Sequence, residues 1–209
     1  MTELPRFQGR VVPWITPWSG APALGEPVVV AAGGWGIGYA DESVYDRTYD
    51  GVLLARGRGR RASDVGGRPL YEEVDPRRQH RAAGELLCQV CGRKPPADLR
   101  GLLWVLPGGE EKELEDALIL TPPVCPEPCA VLAVEQCPFL ARGFTAVRVR
   151  YPRPWGYRGT LYGVDSSGRG VVRRCEESVQ LPHEDPRLSW LLADLAVTRF
   201  MGCSVVGLG

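Results

Sequence analysis

The chain has 209 residues, enough for one large domain or two small ones with an ample apolar core. Its 25 basic and 25 acidic residues cancel, so no overall charge draws it to nucleic acid or to an anionic membrane. The longest apolar region, residues 27–40, is broken by glycines and is too short to cross a bilayer, and the N-terminus lacks the features of a secretory signal. We therefore expect a cytoplasmic protein with no membrane partner.

The N-terminal part of the chain predicts β-structure. Residues 11–16 and 27–32 have the composition of short strands, and glycine and proline separate them. Apolar side chains alternate from Trp35 to Tyr39, which predicts a hairpin or a sheet edge, and residues 51–56 could supply a later strand that pairs with it.

Two charged clusters lie in this β-rich part. They are an acidic group, Asp41, Glu42, Asp46 and Asp50, and a basic run, Arg56, Arg58, Arg60 and Arg61. The carboxylates could hold a hard cation or form a solvated loop face. The arginines could bind phosphate from a glycine-spaced loop or form a solvated hairpin tip. We favour the solvated surface for both clusters.

A helix is predicted from Asp75 onward. Asp75 can cap it, Pro76 suits its first position, and helix-forming residues follow up to Cys88. The helix carries further candidate binding residues: Arg77, Arg78, His80 and Arg81. His80, one of only two histidines in the chain, could be a metal ligand or a proton-transfer group, although we favour a partly exposed helix residue.

Two cysteine pairs predict a metal site. Cys88 and Cys91 are two residues apart in a turn, and Cys125 and Cys129 follow about thirty residues later. Four thiolates at such spacing can form the tetrahedral shell that zinc prefers, so we expect zinc as a structural cofactor. Cys137 could replace the fourth ligand or be buried as a small hydrophobe, and we favour burial.

The elements around the pairs predict a small zinc fold. Residues 101–106 read as a strand, glycines follow as a turn, and residues 117–120 read as a second strand, which gives a hairpin between the cysteine pairs. A helix over residues 130–136 then carries Cys129 in or next to its first turn. A knuckle, a hairpin and a helix in this order make a treble clef, and residues 77–140 resemble the HNH nuclease family.

The resemblance to HNH nucleases implies a fold and not the activity. Members of the family carry a histidine on the hairpin strand after the first knuckle, where it activates water against a metal-bound phosphate. Here that strand reads LLWVLP, and the metal-binding His and Asn of active nucleases are missing from residues 125–140. The three residues between Cys125 and Cys129, where treble clefs more often have two, are a further departure. We expect no nuclease activity and expect Trp104 to lie in the core.

The C-terminal part predicts more sheet and a last helix. Residues 144–151 alternate as a half-buried strand, residues 157–164 and 170–174 continue as a β-meander, and residues 204–208 could return as a strand. Asp185 can cap a helix in which leucines recur at helical spacing; they are Leu188, Leu191, Leu192 and Leu195. His183 reads as a loop residue.

The sequence therefore predicts an α+β protein. Antiparallel sheet segments from residues 1–74 and 141–209 would pack together, with the treble-clef zinc module of residues 75–140 inserted between them and an amphipathic helix near the C-terminus. We expect the protein to bind a partner, nucleic acid or protein. The alternative is an enzyme of small-molecule metabolism, which would have a pocket between sheet and zinc module. Residues available to that pocket are His80, Trp104, Tyr39 and Asp41.

Overall fold

A computed structural model of the chain describes residues 4–21, 27–58, 66–96, 98–108, 113–123, 126–168 and 170–208. In chain order its strands are β1 (Arg6–Phe7), β2 (Arg10–Val11), β3 (Val28–Val30), β4 (Ile37–Tyr39), β5 (Leu53–Leu54), β6 (Leu102–Pro107), β7 (Leu118–Ile119), β8 (Phe144–Val149), β9 (Arg153–Val164), β10 (Val171–Arg173), β11 (Val179–Pro182), β12 (Leu191–Arg199) and β13 (Cys203–Val206). Its helices are α1 (Pro76–Glu85) and α2 (Glu127–Gln136). Short 3-10 turns cover Val44–Asp46, Leu140–Arg142 and Pro186–Trp190.

The largest sheet is built on two long strands. β9 and β12 pair antiparallel, β10 and β11 pair with the other edge of β9, and β5 and β7 pair with the other edge of β12. The β5–β12 pair is parallel and the rest are antiparallel. Antiparallel sheets and two helices thus confirm the mixed α and β character that the sequence predicts.

A second sheet has the order β13-β8-β6, and its buried face holds Trp104. The Trp104 ring meets Phe200 edge-on at 4.9 Å, and its indole Nε1 donates a hydrogen bond to the Thr121 carbonyl at 2.9 Å. A buried indole needs such an acceptor, because an unpaired N–H in an apolar core is costly. The predicted core position of Trp104 is confirmed.

Helix α1 begins as the sequence predicts. The Asp75 carboxylate accepts a hydrogen bond from the Arg78 backbone N–H at 3.0 Å, and Pro76 occupies the first helical position. The helix packs on β12 through Gln79, which is almost fully buried. The Gln79 amide donates to the carbonyls of Leu120 and Ala196 and accepts from the Ala196 backbone N–H. One side chain therefore joins α1, the end of β7 and β12.

Replacing Gln79 by Leu should destabilise the protein by about 3 kcal/mol, because each buried backbone group left without a partner costs about 1–3 kcal/mol. Urea unfolding followed by circular dichroism measures this loss. The matched control is Gln180→Leu on the exposed face of β11, which should change the free energy of unfolding by under about 0.5 kcal/mol. Equal effects of the two substitutions would contradict this role of Gln79.

The predicted C-terminal helix is wrong. Only the 3-10 turn Pro186–Trp190 forms, and Leu191, Leu192 and Leu195 lie in strand β12. β12 is a central strand with partners on both edges, and its register shifts between Ala193 and Leu195. A central strand buried on both faces has a nearly continuous apolar sequence, so leucines can fall at helical spacing without forming a helix.

The predicted hairpin between the cysteine pairs is also wrong. β6 pairs with β8, whereas β7 pairs with the end of β12 in the other sheet. Leu114 between them is buried against Trp104 and Phe200, and the Phe200 backbone bonds to Asp116 and Ala117. Leu114 thus anchors the segment before β7 against the core beneath the β13-β8-β6 sheet. Strands thus pair across the predicted divisions after residues 74 and 140, and the three-part division itself stays a prediction.

Candidate functional site

Three of the predicted metal ligands lie together. The sulfur atoms of Cys88, Cys91 and Cys129 are all within 4.8 Å of one another. Cys88 and Cys91 come from the turn after α1, and Cys129 from the first turn of α2. Cys125, the fourth predicted ligand, lies outside the described residues.

The turn that carries the first two cysteines is closed by its own backbone. Gly92 donates to the Cys88 carbonyl at 2.7 Å, and the Cys88 N–H donates to the Arg93 carbonyl at 2.9 Å. Gly92 has a φ of +68°, and a Cβ there would lie 2.7 Å from the Trp14 ring. Only glycine therefore suits position 92, which explains the glycine directly after Cys91.

The surroundings of Cys88 favour a negative sulfur. Hydrogen bonds from the Cys129 thiol and from the backbone amides of Cys91 and Val90 lower the pKa of Cys88 to about 6, against the opposing effect of burial. Burial raises the pKa of Cys91, and the negative charge on Cys88 adds to this effect. Amides that point at a sulfur stabilise a thiolate, which is the form that binds metal.

The sulfur cluster has the dimensions of a metal centre. Around a tetrahedral zinc with Zn–S bonds of about 2.3 Å, neighbouring sulfur atoms are about 3.8 Å apart, which agrees with the observed limit of 4.8 Å. Cys88 and Cys129 belong to the apolar cluster that packs α2 on β6 and β8. The three cysteines could therefore hold a metal ion at the junction of these elements.

The other cysteines and His80 do not join this cluster within the described ranges. Cys137 ends α2 and packs partly buried against apolar side chains, which agrees with the favoured role as a small hydrophobe. Cys175 is exposed, and the Cys203 thiol donates to the Leu114 carbonyl.

Two of the candidate phosphate-binding arginines, Arg56 and Arg77, pair with acidic side chains. Arg56 is only 8% exposed and pairs with Asp46 and Asp41 at 2.8 Å. Arg77 contacts the same Asp46 carboxylate at 2.6 Å. The guanidinium of Arg56, against the effect of burial, holds the pKa of Asp46 well below its ordinary value, helped by hydrogen bonds from Ser43.

Arg58, Arg78 and Arg81 have other partners. Arg58 donates to the Ala21 carbonyl and lies 3.6 Å from Glu73. Arg78 donates to backbone carbonyls of Trp14 and Thr16, and Arg81 pairs with Glu85. Arg60 and Arg61 lie outside the described residues. Among the described members of the set, Arg56 and Arg77 thus share Asp46, and the others make separate contacts.

A cleft of about 710 Å³ opens beside α1. It is bounded by α1, by the start of β9, by the end of β12 and by the segment of residues 44–49. This volume suits a small organic ligand, since such sites typically measure about 300–1,000 Å³. The exposed aromatic rings of Tyr45 and Tyr49 form part of its rim.

Both histidines of the chain line the cleft, together with Tyr157. The His80 ring stacks on Tyr157 with centroids 5.5 Å apart, and the His183 ring meets it edge-on at 5.1 Å. Burial lowers the pKa of His80 to about 4, so this imidazole is neutral at pH 7. Its Nε2 atom is buried and has no hydrogen-bond partner among the residues described.

Asp50 completes this group. It accepts hydrogen bonds from Tyr157 Oη at 2.6 Å and Thr48 Oγ1 at 2.8 Å, and lies 2.8 Å from His183 Nδ1. Burial raises the pKa of Asp50, but these hydrogen bonds outweigh it, so the pKa lies below its ordinary value. Burial and the bond to Asp50 raise the pKa of Tyr157, which therefore stays protonated.

Sequence reasoning did not bring these residues together. His183 was expected in a loop and Asp50 on a solvated face, and 133 positions separate them. Of the residues proposed for a pocket, only His80 lines this cleft. Trp104 is core, Tyr39 donates to the Leu54 carbonyl, and Asp41 pairs with Arg56. The one sequence feature that could have indicated this site is that the chain has only two histidines.

No family model, curated protein or solved structure gives a significant match to this chain. The likeness of residues 77–140 to HNH nucleases stays an expectation drawn from the sequence. Among the described residues, neither helix has the length and apolar character that a membrane crossing requires.

Proposed function

We propose that the chain is a zinc-stabilised protein that binds a small, ring-bearing molecule in the cleft beside α1. The observation that carries the proposal is the cleft itself, where both histidines, Tyr157 and two rim tyrosines meet. Apolar walls with a few convergent polar groups are typical of small-molecule sites. Exposed tyrosine rings at the rim favour a ligand with a ring that can stack on them.

Zinc has a structural role in this proposal. Cys88, Cys91 and Cys129 supply three sulfur ligands, Cys125 supplies the fourth, and soft thiolates favour zinc over hard cations. The knuckle and the ligand-bearing helix correspond to two parts of a treble clef, although β6 and β7 do not form its hairpin. The metal would fix α2 against the turn that follows α1.

A nucleic-acid partner is less well supported than a small ligand. Phosphate binding needs arginines that can turn to a common face, and it weakens steeply with salt. Arg56 instead lies in a buried ion pair with Asp46. A hydrolytic nuclease centre is not part of the proposal, because Trp104 and its neighbours on β6 are apolar and buried.

Gly84 offers a clean test of the cleft. It is exposed on α1, lines the cleft, and a Cβ at this position meets no atom within 4 Å. Gly84→Trp should therefore obstruct the cleft while preserving the fold, since the added side chain meets no atom near its Cβ and tryptophan is a better helix former than glycine. Fragments that bind the wild type in ligand-observed NMR should lose their signal with this variant.

Gly84→Ala is the matched control, and it should keep fragment binding because a methyl group leaves the cleft open. A fragment library that gives no signal sensitive to Gly84→Trp would overturn the proposed site. Salt-sensitive binding of labelled duplex DNA at physiological ionic strength, measured by fluorescence anisotropy, would favour the nucleic-acid partner instead.

A further inference from the structure

We infer that His183 is a proton acceptor for a hydroxyl-bearing ligand in the cleft, and that Asp50 is its positioning residue. The inference rests on the proposed function, since the bound ligand supplies the proton. In the step, the Nε2 lone pair of His183 forms an N–H bond while the ligand O–H bond breaks. The electron pair stays on the ligand oxygen, and the imidazolium is paired with Asp50.

The hydrogen bond to Asp50 selects the reactive nitrogen. An ionised carboxylate only accepts, so in the neutral imidazole of His183 Nδ1 carries the proton and Nε2 keeps its lone pair. Within the described part of the chain, Nε2 has no partner, and the ring lines the cleft. A histidine oriented by a carboxylate in this way is the arrangement of a general base.

Two further hydrogen bonds hold the Asp50 carboxylate in position. Tyr157 and Thr48 both donate to its Oδ1 atom, while Oδ2 faces His183. These bonds fix the carboxylate in place and leave one oxygen directed at the imidazole. A surface ion pair would need neither donor, so the arrangement suggests a positioned group.

A metal site is the competing explanation for two histidines near a carboxylate, and the geometry disfavours it. Within the described ranges, the cysteine cluster is the one group of three or more ligand residues whose ligand atoms lie within 4.8 Å of one another. His80, His183 and Asp50 do not meet that limit. Both imidazoles contact the Tyr157 ring instead.

The test uses diethyl pyrocarbonate, which acylates unprotonated imidazole nitrogen and needs no knowledge of the ligand. Because the chain has two histidines and His80 Nε2 is buried, mass spectrometry should find His183 modified first. At pH 8, above the ordinary titration range of histidine, Asp50→Ala should slow this modification about tenfold, the factor that about 1.4 kcal/mol produces.

Glu184→Ala is the matched control. It removes an exposed carboxylate next to His183 in the sequence and should leave the rate of modification unchanged. An unreactive His183, or equal rates in Asp50→Ala and wild type, would overturn the inference.

A second measurement needs no variant. Nitrogen-15 NMR of the wild type at pH 8, where histidine is ordinarily neutral, should show His183 protonated at Nδ1 and bare at Nε2, and Asp50→Ala should mix the two tautomers. A proton on Nε2 in the wild type would overturn the inference even if Asp50→Ala failed to fold. Such a result would not affect the fragment-binding test with Gly84→Trp. The role of His183 and the small-molecule site can therefore fail independently.

Discussion

Replacing Cys88 by Ser should abolish metal binding and leave the chain largely unfolded. Cys88 is fully buried between α2 and β6 and lies within 4.8 Å of two other cysteine sulfur atoms. Structural zinc contributes on the order of 10 kcal/mol in small modules, which is comparable with the whole stability of a domain, about 5–15 kcal/mol. Elemental analysis for zinc, with circular dichroism of the same sample, measures both losses.

Cys137→Ser is the matched control for that experiment. Cys137 lies at the end of α2, on the same helix as Cys129, and is partly buried outside the sulfur cluster. We expect it to keep one zinc per chain, and expect the same of Cys203→Ser. Cys125→Ser should lose the metal as Cys88→Ser does. A folded wild type without metal, or zinc loss in Cys137→Ser, would refute the assigned ligands.

Local signals allowed the helices and several strands to be predicted. Asp75 and Pro76 mark the start of α1, since a cap and a fixed φ act within one turn of the chain. The alternation over residues 144–149 likewise predicts β8, whose Val147 and Val149 are fully buried. Helix caps and strand alternation depend on residues that are close in sequence, so they can be predicted from the sequence alone.

Pairing between strands could not be predicted in the same way. β6 and β7 are close in sequence, yet they lie in different sheets, and Leu114, which precedes β7, is buried beside Phe200. The leucines of β12 give the same pattern in a central strand as in a helix, so the partners of the strand decide the outcome. These choices depend on contacts far apart along the chain.

The metal site could be predicted from the sequence and the cleft could not, because only the first depends on local spacing. Cysteine spacing identified Cys88, Cys91 and Cys129 as neighbours, because a turn and a helix start place ligands in a standard way. The Asp50–His183 contact joins residues 133 positions apart, and nothing in either local sequence indicates the other. Only the pairing of β9 with β11 brings His183 beside Tyr157.

Replacing Asp46 by Asn should destabilise the protein by about 3–5 kcal/mol, because it removes the buried partner of Arg56 and leaves this guanidinium only the exposed Asp41 carboxylate. Asp46 is 1% exposed and accepts hydrogen bonds from Arg56, Arg77 and Ser43. Asp41→Asn is the matched control. Asp41 contacts the same guanidinium at 2.8 Å but is 64% exposed, so its loss should cost at most about 1 kcal/mol. Chemical unfolding at pH 7 compares the two.

The pH dependence of unfolding gives a second readout for Asp46. Its folded pKa lies below the unfolded value, so the stabilisation is present above the unfolded pKa, about 3.9, and is lost as the pH falls below it. The stability difference between wild type and Asp46→Asn should therefore be full at pH 7 and shrink in acid. A difference that stays constant down to pH 2, or an Asp41→Asn cost as large as that of Asp46→Asn, would contradict this assignment. Arg77 lines the cleft and contacts Asp46, so Asp46→Asn should also weaken fragment binding, whereas Asp41→Asn should leave it unchanged.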